Sequence, residues 1–190
     1  MEPVARVKVT VSFLRMDAPP DEPAPALPPS AEVVHLPQPS LALYHELYDT
    51  VGAPHLWWLR RVMRDEDLAA ILRDPRVSVH MLHHNGVPAG FFELDAASWP
   101  VVNLSYFGLM PQAVGKGLGH AFLRRAVDAA WAQSIHGEVV RGVSVNTCTA
   151  DHPRALPMYL RVGFRPVRQV REVWNIPLRL GMVIPEHLRT

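Results

Sequence analysis

The stretch Leu104–Trp131 constrains this chain more than any other, because its hydrophobic period changes abruptly at a cluster of glycines. A β-type apolar run, Leu104-Ser105-Tyr106-Phe107-Gly108-Leu109-Met110, ends at Pro111. Gly115, Gly117 and Gly119 follow at alternate positions. From Leu118 the apolar residues recur at helical spacing, with Leu118, Phe122 and Ala126 on one stripe and Leu123, Val127 and Trp131 beside it. A strand, a glycine turn and a helix start in direct succession expose several backbone N–H groups ahead of a helix dipole. Such a turn suits an anionic phosphate group.

The rest of the chain narrows the setting. Its 190 residues can bury one substantial core, so a single domain over 1–190 is expected. A net charge of +1 gives no reason to expect nucleic acid or an anionic membrane surface as the main partner. No apolar run approaches the roughly 18 residues of a membrane span. Arg6, Lys8 and Arg15 interrupt the apolar N-terminal stretch, which argues against a signal peptide. The single cysteine, Cys148, excludes an internal disulfide framework, and a cytoplasmic location is expected.

Taken in order, residues 5–16 alternate as a first strand, with Val7, Val9, Val11 and Phe13 on one face. Prolines at 19, 20, 23, 25, 28 and 29, then 37 and 39, make 17–39 an extended, stiff surface connection. Ser40 reads as an N-cap, and a helical region is expected over 40–74, broken near Gly52 and Pro54 and ended by Asp74-Pro75. The adjacent Trp57 and Trp58, on a short helix, cannot both face one core, so either one of them lines a groove or both are partly buried packing residues. Asn85-Gly86 predicts a hairpin between runs 76–83 and 88–95, and a third antiparallel strand leads into the glycine turn. Val139–Asn146 reads as another strand, Asp151-His152-Pro153 as a helix start delayed or kinked by Pro157, and Phe164–Ile176 as a last strand.

Two phosphate-binding signatures fail against these residues. A P-loop needs Gly-Lys-Ser/Thr, but Gly117 follows Gly115-Lys116. A dinucleotide turn needs different glycine spacing and a parallel βαβ unit. What does match is Gln-x-x-Gly-x-Gly, present as Gln112-Ala113-Val114-Gly115-Lys116-Gly117, which resembles the acetyl-CoA signature of the GNAT superfamily of N-acetyltransferases. A second segment, Ala155-Leu156-Pro157-Met158-Tyr159-Leu160-Arg161-Val162-Gly163-Phe164, is similar to that family's Ala-x-x-x-Tyr-x-x-x-Gly-Phe.

The resemblance covers roughly residues 76–175, and it carries several expectations. The fold would be α/β, a mixed and mostly antiparallel sheet flanked by helices, with a V-shaped splay between two central strands. Acetyl-CoA would be the co-substrate, bound by the 76–175 core through Leu109, Gln112, Val114, Gly115, Lys116, Gly117, Leu118, Gly119, His120 and His152, and no metal is expected. The resemblance makes Leu109 the residue whose backbone N–H polarises the thioester carbonyl. It makes Tyr159 the acid that protonates the departing thiolate. A primary amine would attack directly, entering beside the helical acceptor-side region 40–74 with Tyr44, Trp57 and Trp58 as groove residues. Self-association into a homodimer is left open.

The proton acceptor is harder to read. The family position for a basic glutamate is occupied by Asn103, which cannot take a proton. Glu93, on the neighbouring strand, is the nearest candidate carboxylate; a structurally paired role for it, or deprotonation by water alone, stands beside that reading. His152 replaces the family's frequent Asn and also suits helix capping. His80, His83 and His84 cluster without a metal-ligand geometry, because adjacent strand residues face opposite ways. Cys148 lacks a supporting His-Asp arrangement and reads as a small packing residue. The alternative function is a CoA-binding or interaction module with weak or no catalysis.

Overall fold

The computed structural model describes residues 2–189. In chain order the elements are β1 (Val4–Met16), β2 (Ala31–Leu36), α1 (Leu41–Gly52), α2 (Leu59–Val62), α3 (Asp65–Arg73), β3 (Val77–His84), β4 (Val87–Asp95) and β5 (Val101–Leu109). There follow α4 (Leu118–Trp131), β6 (Ser134–Ile135), β7 (Glu138–Val139), β8 (Gly142–Cys148), α5 (Ala155–Arg161) and β9 (Arg165–Pro177). Seven of the strands form one sheet in the order β2-β3-β4-β5-β8-β1-β9. Every neighbouring pair in it is antiparallel except β5–β8. This is the mixed, mostly antiparallel α/β architecture expected from the sequence.

Local chemistry accounts for much of the framework. Ser40 accepts the Leu43 N–H at 3.2 Å and caps α1. Asn85 and Gly86 hold φ of 54° and 75°, the paired left-handed turn that reverses β3 into β4. Helix α4 buries Leu118, Phe122, Leu123, Ala126 and Val127 against one face of the sheet, together with Phe92, Leu94, Leu104 and Tyr159. Helices α1 and α3 cover the other face through Tyr44, Leu47, Tyr48, Val51, Leu68 and Leu72, meeting Val79, Met81 and Phe91. Alternation along β4 explains this division: Phe92 and Leu94 face one layer while Phe91 and Glu93 face the other. A third cluster joins Val7, Val9 and Val11 of β1 to Leu56, Ile176, Ile184 and Leu188.

Four expectations change. The 17–39 connection contains β2, whose Val33 and Val34 pair with Leu82 and Met81 at the sheet edge. The flanking prolines end that strand without entering it, so their density concealed it. The remaining connection is not loose, since Arg124 of α4 donates to the Glu22 carbonyl at 2.7 Å. The strand expected from Val139 begins only at Gly142, because His136 and Gly137 at φ of 51° and 82° fold β6 back on β7. Helix α5 starts at Ala155, with Pro157 harmlessly in its first turn, while the Asp151 carboxylate turns back to Thr147 and the Cys148 N–H. Trp57 and Trp58 lie in a connection, because Leu56 in the left-handed region (φ 56°) ends the 3₁₀ turn Ala53–His55 before α2 begins.

The β5–β8 pair positions the site. The two strands run side by side only from Val101–Gly142 to Leu104–Val145. Beyond that, β5 stays with β4 through Leu109 while β8 follows β1 to Cys148. Two parallel strands drawn to different neighbours must part, and a V-shaped gap opens in mid-sheet.

Candidate functional site

The glycine turn lies at the mouth of this gap. Gln112, exposed on the 3₁₀ turn Pro111–Ala113, donates to the Pro88 carbonyl at 3.2 Å and ties the turn to β4. Gly115 and Gly117 hold φ of 83° and 77°, and a Cβ at either would meet nothing within 4 Å. Their glycine requirement is therefore backbone conformation, and the space beside them is open. Val114 is half exposed, and its N–H and that of Lys116 donate within the turn, to Pro111 and Ala113 at 3.3 and 3.4 Å. Outward donation accordingly falls to the N–H groups without a bond inside the turn, those of Gly115 and Gly117 and the first of α4, from Leu118, Gly119 and His120. Leu118 itself is buried and anchors the helix start. The His120 imidazole is held below its ordinary pKa by burial, with Arg161 and Arg124 adding to the effect. The same positive surroundings that disfavour imidazolium favour a phosphate.

The turn touches the rest of the site through Gly119. A Cβ there would stand 3.5 Å from the Met158 sulfur and 3.7 Å from Leu109 Cδ1, so the helix start, the end of β5 and α5 meet at one point. Met110 N–H donates to the Ala89 carbonyl of β4 at 2.9 Å. Since successive N–H groups alternate along a strand, the Leu109 N–H is directed away from β4, to the side that β8 has vacated. Tyr159 on α5 packs edge-on to Phe107 and Phe164 with ring centroids 6.5 and 5.8 Å away. Its phenol is raised far above the ordinary range by burial, and the Asp151 charge adds to this. A phenol so disposed keeps its proton at neutral pH, the form from which a proton donor must start.

Glu93 sits on the opposite face of the sheet in a closed network. Its side chain is fully buried, accepting the Tyr44 hydroxyl at 2.5 Å and pairing with the Arg60 guanidinium at 2.8 Å. Arg60 also lies 5.5 Å from the Tyr106 ring centre, and its main-chain N–H donates to the Tyr48 hydroxyl. Tyr44 therefore corrects the groove expectation: at 0% exposure it is a core residue holding a carboxylate. Its phenol is raised by burial first and by Glu93 second. Sequence reading passed over Arg60 because nothing in helical spacing links it to Glu93; a lone carboxylate in an apolar strand was the available signal that a buried cation exists somewhere. Asn103, at the family's glutamate position, accepts from Ser144 and donates to Ser105, both at 3.0 Å.

The two tryptophans divide across the gap. Trp57 packs with α1, Phe91 and Tyr106, whereas Trp58 joins the β1–β9 cluster. Neither is fully buried. Exposed His152 accepts the Arg154 N–H on Nδ1 at 3.1 Å and faces His55 at 6.3 Å. Burial pushes the Cys148 thiol up to about 12, with Asp151 contributing, which suits a packing residue and not a nucleophile. His80 stacks on Phe92 at 4.5 Å, and among the described residues no group of three or more His, Cys, Asp or Glu is placed to hold a metal ion. No helix among them is long and apolar enough to cross a membrane.

The fold recurs in known proteins. Among solved structures, a GCN5-related N-acetyltransferase from Sphaerobacter thermophilus superposes with a TM-score of 0.57 at 18% identity, over 93% of this chain and 53% of that one. A tandem GNAT protein from the clavulanic acid biosynthesis pathway gives 0.60 at 17% identity, over 92% and 55%. A GCN5-related N-acetyltransferase from Kribbella flavida gives 0.57 at 16%, over 94% and 63%. The chain thus spans between half and two thirds of the length of these relatives, and at such identities the likeness concerns fold. No curated protein matches the sequence significantly. The family model described as Acetyltransferase (GNAT) family matches residues 41–164, from the capped start of α1 through the Tyr159 motif to Phe164. The chain belongs to the GNAT acetyltransferase family.

Proposed function

We propose that this chain moves an acetyl group from acetyl-CoA to a primary amine of a small molecule or peptide by direct attack. One observation carries the reading: the V-shaped gap, the Gly115–Gly119 turn and the Tyr159 helix converge at Leu109. In this reading the N–H groups at the start of α4 hold the CoA pyrophosphate, and Lys116 adds a side-chain charge. The Leu109 N–H polarises the thioester carbonyl. Tyr159 protonates the sulfur as it leaves. The acceptor approaches on the α1–α3 side, past Trp57 and Trp58.

Binding is tested by thermal shift: acetyl-CoA at saturation raises Tm and ATP does not. Turnover is tested by thiol release across free amino acids, an aminoglycoside, spermidine and a tripeptide with a free N-terminus. The absence of an acetyl-CoA shift would sink the reading. A second reading, a CoA-binding module with little catalysis, is favoured by Asn103 at the base position and by the engagement of Glu93 with Arg60. Binding without turnover on any amine of the panel would select it.

A further inference from the structure

The segment between α1 and α2 crosses the mouth of the gap. At one end Val51 fills the space that a Cβ on Gly108 would need, so α1 ends against β5 beside Leu109. Two residues after Gly52 the chain is at Pro54, and His55 already lies against the loop that follows β8. Its ring stands 6.3 Å from that of His152. Leu56 then plugs the β1–β9 cluster, Trp58 joins the same cluster, and Trp57 folds back over Tyr106 and Phe91. His55 thus lies in the chain between Val51 and Trp57, both of which reach the Cβ position of Gly108 on β5, and it faces His152 beyond the end of β8. It approaches from the α1 side of the sheet, while Tyr159 belongs to the layer on the α4 side.

We propose that His55 is the proton acceptor of the acetyl transfer, acting on the acceptor nitrogen from the face opposite Tyr159. This assignment rests on the acetyltransferase reading above. The opposed placement fits the geometry of addition and elimination at a carbonyl, in which the nucleophile enters from one side and the leaving group departs on another. A neutral imidazole carries one ring nitrogen that can accept a proton. Among the described residues, the charged or titratable groups acting on His55 are Asp151 and His152. Burial lowers its pKa below the ordinary 6.5 and outweighs Asp151, so the ring is neutral at physiological pH. Glu93, by contrast, is committed to Arg60 and Tyr44.

The step balances as follows. The free amine forms the C–N bond to the carbonyl carbon, and His55 takes one proton from the nitrogen that has become cationic. The C–S bond breaks with its electron pair on sulfur, which takes the Tyr159 phenolic proton. Imidazolium and phenolate return to their starting forms by exchange of one proton through water. No oxidant or further co-reactant is needed.

The test compares the parent with His55→Gln and His55→Asn, using the best amine of the panel. The expected result is a fall in kcat of about 100-fold or more, with the CoA-induced thermal shift unchanged in both variants. The logarithm of kcat/KM should rise with slope 2 below the pKa of His55 and slope 1 above it in the parent, and with slope 1 throughout in the variants. Independently of turnover, the His55 ring proton resonance should titrate below pH 6.5 and move when acetyl-CoA is added. Variants with parental kcat and an unchanged pH profile, or a His55 resonance indifferent to acetyl-CoA, would overturn the assignment while leaving acetyl transfer intact. Failure of the parent to bind acetyl-CoA or acetylate any panel amine would overturn both.

Discussion

Replacing Glu93 by Ala separates a structural carboxylate from a catalytic one. In the parent, the fully buried Glu93 neutralises Arg60, whose side chain is only 11% exposed, and accepts the Tyr44 hydroxyl. The Arg60 Nε is already buried without a partner, so the guanidinium has little else to turn to. Removing the carboxylate strands a cation and a phenol in an apolar layer built from α1, α3 and β4. Breaking one side of such a pair costs about 3–5 kcal/mol, which for a chain of this size lowers Tm by about 10 °C. The assay is thermal and urea unfolding of Glu93→Ala, Arg60→Met and the double variant. If the network holds α1 and α2 against the sheet, the double variant recovers much of the loss, with coupling above about 1 kcal/mol. Activity completes the argument: a structural role lowers total activity only as far as the folded fraction falls, whereas loss of a catalytic base lowers turnover per folded molecule. A Glu93→Ala protein whose Tm falls by less than about 2 °C refutes the reasoning.

The remaining predictions concern single features of the site. Gly117→Ala places a side chain at φ 77°, so stability should drop by about 1 kcal/mol and CoA affinity should weaken at least as much as in Gly115→Ala, both read by thermal shift. Tyr159→Phe keeps the ring contacts with Phe107 and Phe164, so Tm should hold within a few degrees while turnover falls by about 10²-fold or more; parental turnover would exclude Tyr159 as the acid. His80, driven down to about 4 by burial and then by His35, is neutral when folded at pH values where the unfolded chain already binds a proton. Stability it contributes is therefore complete above pH 6.5 and lost as pH falls towards 4; His80→Phe should flatten that decline in a Tm-versus-pH series. With its thiol raised to about 12, Cys148 should alkylate slowly at pH 8 until the chain is unfolded by urea.

Where structure follows from neighbours in the chain, the sequence was sufficient. The Ser40 cap, the Asn85-Gly86 hairpin, the change of period at Leu118 and the Gly163 stop (φ 105°) are each local choices of dihedral or hydrogen bond. The order of strands and helices and the motif residues Gln112–Gly117 and Ala155–Phe164 were legible for the same reason, and they sufficed to recognise the family. Short elements governed by distant partners were not. Strand β2 is defined by β3 at the sheet edge, and the start of β8 by a hairpin that has no apolar period.

The sequence by itself determined that a glycine turn precedes a helix whose buried stripe must face a sheet. Only the tertiary structure decided that β1, the first strand in the chain, inserts between β8 and β9, drawing β8 away from β5 and opening the gap. It also decided that Tyr44, Arg60 and Glu93 close into one network, and that His55 meets His152 across the gap. The physical reason is common to all three. Conformational preference acts over a few residues and can be read along the chain, whereas pairing and burial of polar groups depend on which segments the whole core brings together.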